Sequence, residues 1–155
     1  SILIVISTCA LDFMHSDRSI FKIVDLDEAW AFLNVAQGET LSNKLVRAGR
    51  AMNAGVYFVT QSSGDVSKES LKNNIGLKFA FRSTDTNEIK QTLEFFGLDS
   101  EDENNQKRLR DLENGQCLMQ DLYGRVGVVQ IHPVFVELLH AFDTRPPIKS
   151  EVDLE

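Results

Sequence analysis

The stretch FKIVDLDEAW, Phe21 to Trp30, begins as a strand and ends in two adjacent acids. Ile20 to Asp25 show little apolar–polar alternation, which predicts a strand buried on both faces, as in a parallel sheet. Asp27 and Glu28 then stand side by side where the chain leaves that strand. Two carboxylates so close repel each other and resist burial, so their position asks for compensation. A magnesium ion, or a triphosphate carrying one, would supply it. The plainer alternative is that both acids open a helix, where negative charge favours the positive end of the dipole.

A second stretch weighs against the plainer alternative. VYFVTQSS, Val56 to Ser63, reads as another short apolar strand that ends in polar residues. In a parallel sheet, ligands bind outside the carboxyl ends of the strands. Asp27 and Glu28 would then share one crevice with Thr60 and Gln61. In a nucleotide-hydrolysing site the first acid holds magnesium, usually through water, and the second polarises the attacking water. A neighbouring glutamine orients that water or senses the γ-phosphate.

Outward from these two strands, the remaining pattern alternates strand and helix. Ile2 to Met14 carry an apolar run too long for a strand and without a turn signal, which predicts a buried helix. Leu41, Leu45, Val46 and Ala48 fall at helical spacing, with Gly55 read as the stop. LKFAFRS (Leu77–Ser83) reads as a third strand. Asp85 or Thr86 caps a helix carrying Ile89, Leu93 and Phe96 on one face, with Gly97 as its stop. A short charged helix follows the acidic loop and is read as closing at Gly115. QCLMQDLYGRVGVVQIHP (Gln116–Pro133) predicts two strands around a turn at Gly124, and a helix precedes Pro146 and Pro147. The fold class expected is α/β: a mainly parallel sheet flanked by helices, with a C-terminal antiparallel hairpin. Residues 1–150 read as part of one domain and 151–155 as a frayed tail.

The chain has 155 residues and a net charge of −7, with a pI near 5.0. That balance gives the whole chain no electrostatic attraction for nucleic acid, so DNA as a partner is not indicated by charge. Cys9 and Cys117 are isolated thiols with no CxxC, so neither a zinc site nor a disulfide framework is expected, and both read as buried, reduced cysteines. The N-terminal apolar run has no basic start and is too short to span a bilayer. The chain reads as beginning inside a larger protein.

In series, KIVDLDEAW, LVRAGRAMNAGVYFVTQSSGDV, LKNNIGLKFAFR and LENGQCLMQDLYGRVGVVQIHP resemble the C-terminal ATPase portion of VirB-type conjugative transfer and type IV secretion ATPases. These are RecA-like P-loop proteins related to the HerA/FtsK DNA pumps. The resemblance runs from about Phe21 to Pro147. It implies Mg-ATP hydrolysis that powers conjugative transfer or secretion, with ATP and Mg2+ as cofactors. It also implies a homo-oligomer, with a hexamer among the options, that works with secretion-machinery proteins at the cytoplasmic face of the membrane. Asp27 matches the magnesium-side acid of Walker B and Glu28 the catalytic glutamate. Thr60 and Gln61 match the sensor motif. Arg50, with Arg47 three residues before it, matches the basic helix preceding the sensor strand, although the family often has Arg-Lys where this chain has Arg50-Ala51. Asp25 departs from the apolar residue usual two positions before the Walker B aspartate. No GxxxxGK[ST] occurs in the sequence, so the phosphate cradle is missing and the isolated chain is expected to have little or no ATPase activity.

Other polar residues have plainer readings. Arg47 and Arg50 could face phosphates across a subunit interface, or be solvated, or pair with Glu39 or Asp65. Arg82 and Arg125 read as surface residues. His15, His132 and His140 lie in separate elements without metal spacing, and Trp30 reads as packing at a helix start. A HerA/FtsK-type DNA-translocating ATPase and a non-catalytic α/β interaction domain remain as alternatives.

Overall fold

The structure is a computed structural model that describes residues 2–28, 36–62, 64 and 72–141. Trp30 and Asp65 lie outside the described residues, as do the side chains of Glu39 and Arg50. The elements run in the order α1 (Ile2–His15), β1 (Lys22–Leu26), α2 (Ala36–Ala51), β2 (Ala54–Phe58) and β3 (Lys78–Ala80). They continue with α3 (Thr86–Phe95), α4 (Glu103–Arg110), β4 (Gln116–Gln120), β5 (Val126–Gln130) and α5 (Val136–Ala141). Strands β1 and β2 pair in parallel, with Lys22 opposite Ala54 and Leu26 opposite Phe58. Strands β3, β4 and β5 form an antiparallel ladder whose β4–β5 arm is the expected hairpin, turning at Gly124 with φ +78°. The protein is therefore mixed α/β, with helices between the strands.

The parallel pair needs a crossover, and α2 supplies it by packing back on β2. The approach is close: a Cβ on Gly49 would lie 2.8 Å from the backbone oxygen of Ala54. The helix ends at Ala51, earlier than the sequence reading placed its stop; Gly55 is already in β2, and Asn53, with φ +52°, makes the turn. Asparagine tolerates this left-handed conformation better than most residues. Its side chain also donates from Nδ2 to the Arg18 carbonyl at 3.2 Å.

Helix α3 anchors the core. Its N-cap Asp85 accepts from the Glu88 N–H, and Gly97, at φ +73°, lies just past its end, as both residues were read. Ile89 and Leu93 are fully buried and join Phe95, Phe96, Leu109, Leu112 and Leu118; Leu26, Val46 and Phe58 pack against the same cluster. The two sheets therefore share one core through α3. Helix α4 ends at Arg110, and Gly115, with φ +80°, is the turn into β4 rather than the helix stop.

Two buried lysines were not foreseen. Lys22 and Lys78 keep their ammonium groups on backbone carbonyls: Lys22 Nζ donates to Met14 and Asp17, and Lys78 Nζ to Phe95 at 2.9 Å. Burial, with the nearby Lys72 charge, pulls the Lys78 pKa below its ordinary value.

Strand β1 is not buried on both faces. Ile23 is 52% exposed and Tyr57, on β2, is 53% exposed, while Lys22 is buried on the other side. Alternation in burial thus follows from the pleat although the residues themselves do not alternate in polarity. Asp25 lies opposite Tyr57 on the open side, where a carboxylate keeps its water. The α1 helix forms as expected, but Met14 is buried while Phe13 is exposed, and Cys9 is exposed rather than buried; Cys117 is buried as read.

Candidate active site

The parallel register of β1 and β2 brings their carboxyl ends level. The ladder runs one step past the strands, where the Val59 N–H donates to the Leu26 carbonyl at 3.0 Å. Asp27 and Glu28 therefore emerge beside Thr60 and Gln61. Across that edge Gln61 Nε2 donates to Glu28 Oε1 at 2.8 Å, a contact between residues 33 apart in sequence. A carboxylate acceptor makes this stronger than a neutral pair.

The backbone at Glu28 is unusual. Its φ is +52°, the left-handed region that L-residues other than Asn, Asp and Gly seldom occupy. The preceding Asp27 supports the bend by accepting the Glu28 N–H on Oδ1 at 2.9 Å. Asp27, Glu28 and Gln61 are all exposed, so the carboxylates are open to a ligand. Beyond Gln61 the Thr60 hydroxyl bonds both the N–H and the carbonyl of Ser62, each at 3.3 Å, which bends the chain after β2. The Ser62 hydroxyl then donates to Glu88 Oε2 on α3 at 3.1 Å.

Among the described residues no three His, Cys, Asp or Glu side chains cluster to cage a metal. The donor set suits a different arrangement: magnesium is commonly held by one or two carboxylates together with phosphate oxygens and waters. Asp27 and Glu28 offer hard oxygen donors of that kind, and the groups fit.

Of the arginines, Arg47 is exposed on α2. Arg125 serves the β4–β5 turn: its Nε and guanidinium bind the Asp121 carboxylate at 2.7 and 2.6 Å, and it lies over the Tyr123 ring. Arg82 is exposed after β3. The Glu28–Gln61 pairing was legible from strand order. The Ser62–Glu88 bond was missed, because neither residue type signals a partner 26 positions away.

The geometry defines a class: an α/β fold with a carboxylate pair and a Thr-Gln edge at the carboxyl ends of parallel strands. The chain belongs to the AAA-like domain family, which matches residues 1–142. It is 33% identical over 136 residues to Uncharacterized protein YddE of Bacillus subtilis (strain 168); the match covers 88% of this chain and 16% of that protein. Its fold is similar to B204, the DNA-packaging ATPase of Sulfolobus turreted icosahedral virus (TM-score 0.58, 16% identity, 72% of this chain and 52% of that one). It is also similar to the genome-packaging NTPase B204 of Sulfolobus turreted icosahedral virus 2, solved in complex with ATP-gammaS (TM-score 0.55, 15% identity, with the same coverage). The chain spans about one-sixth of the curated relative and about half of these solved chains. Among the described residues no helix is long and apolar enough to cross a membrane.

Proposed function

We propose that Asp27, Glu28, Thr60 and Gln61 form the Walker B and sensor half of an ATPase motor that powers conjugative transfer or type IV secretion. The observation that carries this is the 2.8 Å contact between Gln61 and Glu28 at the carboxyl edge of a parallel pair. Membership of the AAA-like domain family supports it, as does a fold shared with proteins named as packaging ATPases.

Glu28 would hold the attacking water and take its proton at a carboxylate oxygen. Gln61 keeps that carboxylate turned toward the edge, and Asp27 would hold magnesium, through water. When bound, the metal would neutralise charge developing on the phosphate oxygens. Arg47 and Arg50, on the helix before the sensor strand, belong to the reading as the cations that would meet the phosphates. The phosphate cradle, for which these 155 residues carry no GxxxxGK[ST], is assigned to other parts of the full-length protein. The motor would act as a homo-oligomer, with a hexamer among the options, alongside secretion-machinery proteins at the cytoplasmic face of the membrane.

The second reading is a DNA-translocating ATPase, favoured by the two packaging ATPases among the structural relatives. ATP hydrolysis by the full-length protein, measured with and without duplex DNA, separates the two. A transfer motor driven by protein partners hydrolyses ATP at a rate indifferent to DNA; stimulation of about tenfold or more points to the pump. No magnesium-dependent hydrolysis in either condition would sink both.

A further inference from the structure

The chain just beyond β2 is held on two sides. Gln61 reaches Glu28, and one residue later Ser62 reaches Glu88 on α3. Two residues further on, Gly64 lies against the same helix: a Cβ there would sit 2.6 Å from Gln91 Oε1. Glu88 and Gln91 are three residues apart, so they share a helix face. Ser62 and Gly64 thus both lie against α3.

Helix α3 is a firm support. Ile89 and Leu93 fix it in the core, and Asp85 caps its start. Lys72 and Lys78 hold the carbonyls of Glu94 and Phe95 at its end, and Lys90 pairs with Glu101 at 2.7 Å. Gln61, by contrast, is exposed three residues beyond the end of β2. An exposed glutamine loses rotamer freedom when it is held on a partner, so a fixed neighbouring backbone favours the bonded arrangement.

We infer that Glu88 is a positioning residue, acting through Ser62 to hold Gln61 on Glu28. This rests on the reading of Glu28 as the catalytic acid. Glu88 lies outside the Glu28–Gln61 contact; the Thr60 hydroxyl makes the bend, and Glu88 anchors the bent segment through the Ser62 hydroxyl.

The test is steady-state ATP hydrolysis by the full-length protein carrying Ser62→Ala, Glu88→Ala, both together, Ser62→Thr, or Glu88→Gln. Losing an orienting hydrogen bond should lower kcat about tenfold and leave KM within about twofold, because positioning changes and binding does not. The double variant should match the single ones, since both remove the same contact. Ser62→Thr keeps the donor and Glu88→Gln keeps an acceptor, so each should retain at least about a third of wild-type kcat. The Gln61 side-chain amide resonances should also shift in Ser62→Ala and stay in place in Ser62→Thr. Wild-type kcat in Ser62→Ala, or losses that multiply in the double variant, would overturn the inference while leaving the catalytic reading intact. If Glu28→Gln hydrolyses ATP as well as wild type, the catalytic reading falls and this inference with it.

Discussion

Replacing Glu28 by alanine and by glycine gives a test with a sign rather than only a size. Both substitutions remove the carboxylate and its bond to Gln61 equally, so that loss cancels between them. The remaining difference is backbone. At φ +52° an L-residue with a Cβ pays about 1–2 kcal/mol that glycine does not. Glycine in turn gives up about 0.4–1 kcal/mol through the greater freedom of its unfolded chain. Glu28→Gly should therefore be more stable than Glu28→Ala, by about 0.8 kcal/mol at the middle of these ranges and at most about 1.6. For a chain of this size that corresponds to a Tm about 1–4 °C higher. Urea denaturation of the two variants, with m-values compared, measures it directly. At an ordinary strand or helix position the order reverses, with alanine ahead. If alanine is the more stable of the two here, Glu28 is not left-handed, and the strained turn that aims it at Gln61 does not exist.

Three further outcomes follow from other parts of the fold. Leu93→Ala empties a fully buried site between α3 and the β-ladder and should cost about 2–5 kcal/mol in urea denaturation; a loss under ~1 kcal/mol would mean that the cluster is not packed as described. Gly49→Ala would raise helix propensity by up to ~1 kcal/mol on an open surface, yet it should destabilise here because the new Cβ meets the Ala54 carbonyl; a gain in Tm would show that α2 stands further from β2. At Asp121, desolvation raises the carboxyl pKa, but hydrogen bonds from the Arg125 backbone and side chain and the Tyr123 N–H, with the Arg125 charge, outweigh it and hold the pKa below the ordinary carboxylate value. A folded pKa depressed in this way gives stability that is present above the unfolded value and lost as pH falls through the folded one. The gap in urea midpoint between wild type and Asp121→Asn should therefore narrow from pH 6 to pH 3; a constant gap would contradict it.

Local signals were legible in the sequence because their partners lie within a turn. Asp85 caps the N–H three residues on, and Gly97 takes a conformation that other residues resist, so α3 could be placed to within a residue or two. The Glu28–Gln61 contact was also within reach, since parallel pairing forces strand ends to meet. Burial was harder to read. Nothing in KIVDL reveals that Ile23 stays half open while Lys22 is covered, because that depends on where Met14 and Asp17 offer their carbonyls. Gly115 looks like a helix stop from its composition, and only the pairing of β4 with β5 turns it into a strand entry, with the Ile131 N–H on its carbonyl at 2.7 Å. Ser62 and Glu88 carry no pattern at all; their contact is a product of the packing of α3.

The central claim is that Glu28 is the water-activating acid of an ATPase. The most direct measurement compares ATP binding and magnesium-dependent hydrolysis by the full-length protein and its Glu28→Gln form. Replacing the carboxylate with an amide keeps the size and the reach to Gln61 but removes the base. The account predicts that hydrolysis falls by about 100-fold or more while ATP affinity changes by less than about threefold. Hydrolysis within about twofold of wild type would contradict it, and would leave Asp27 and Glu28 as no more than the charged end of a strand.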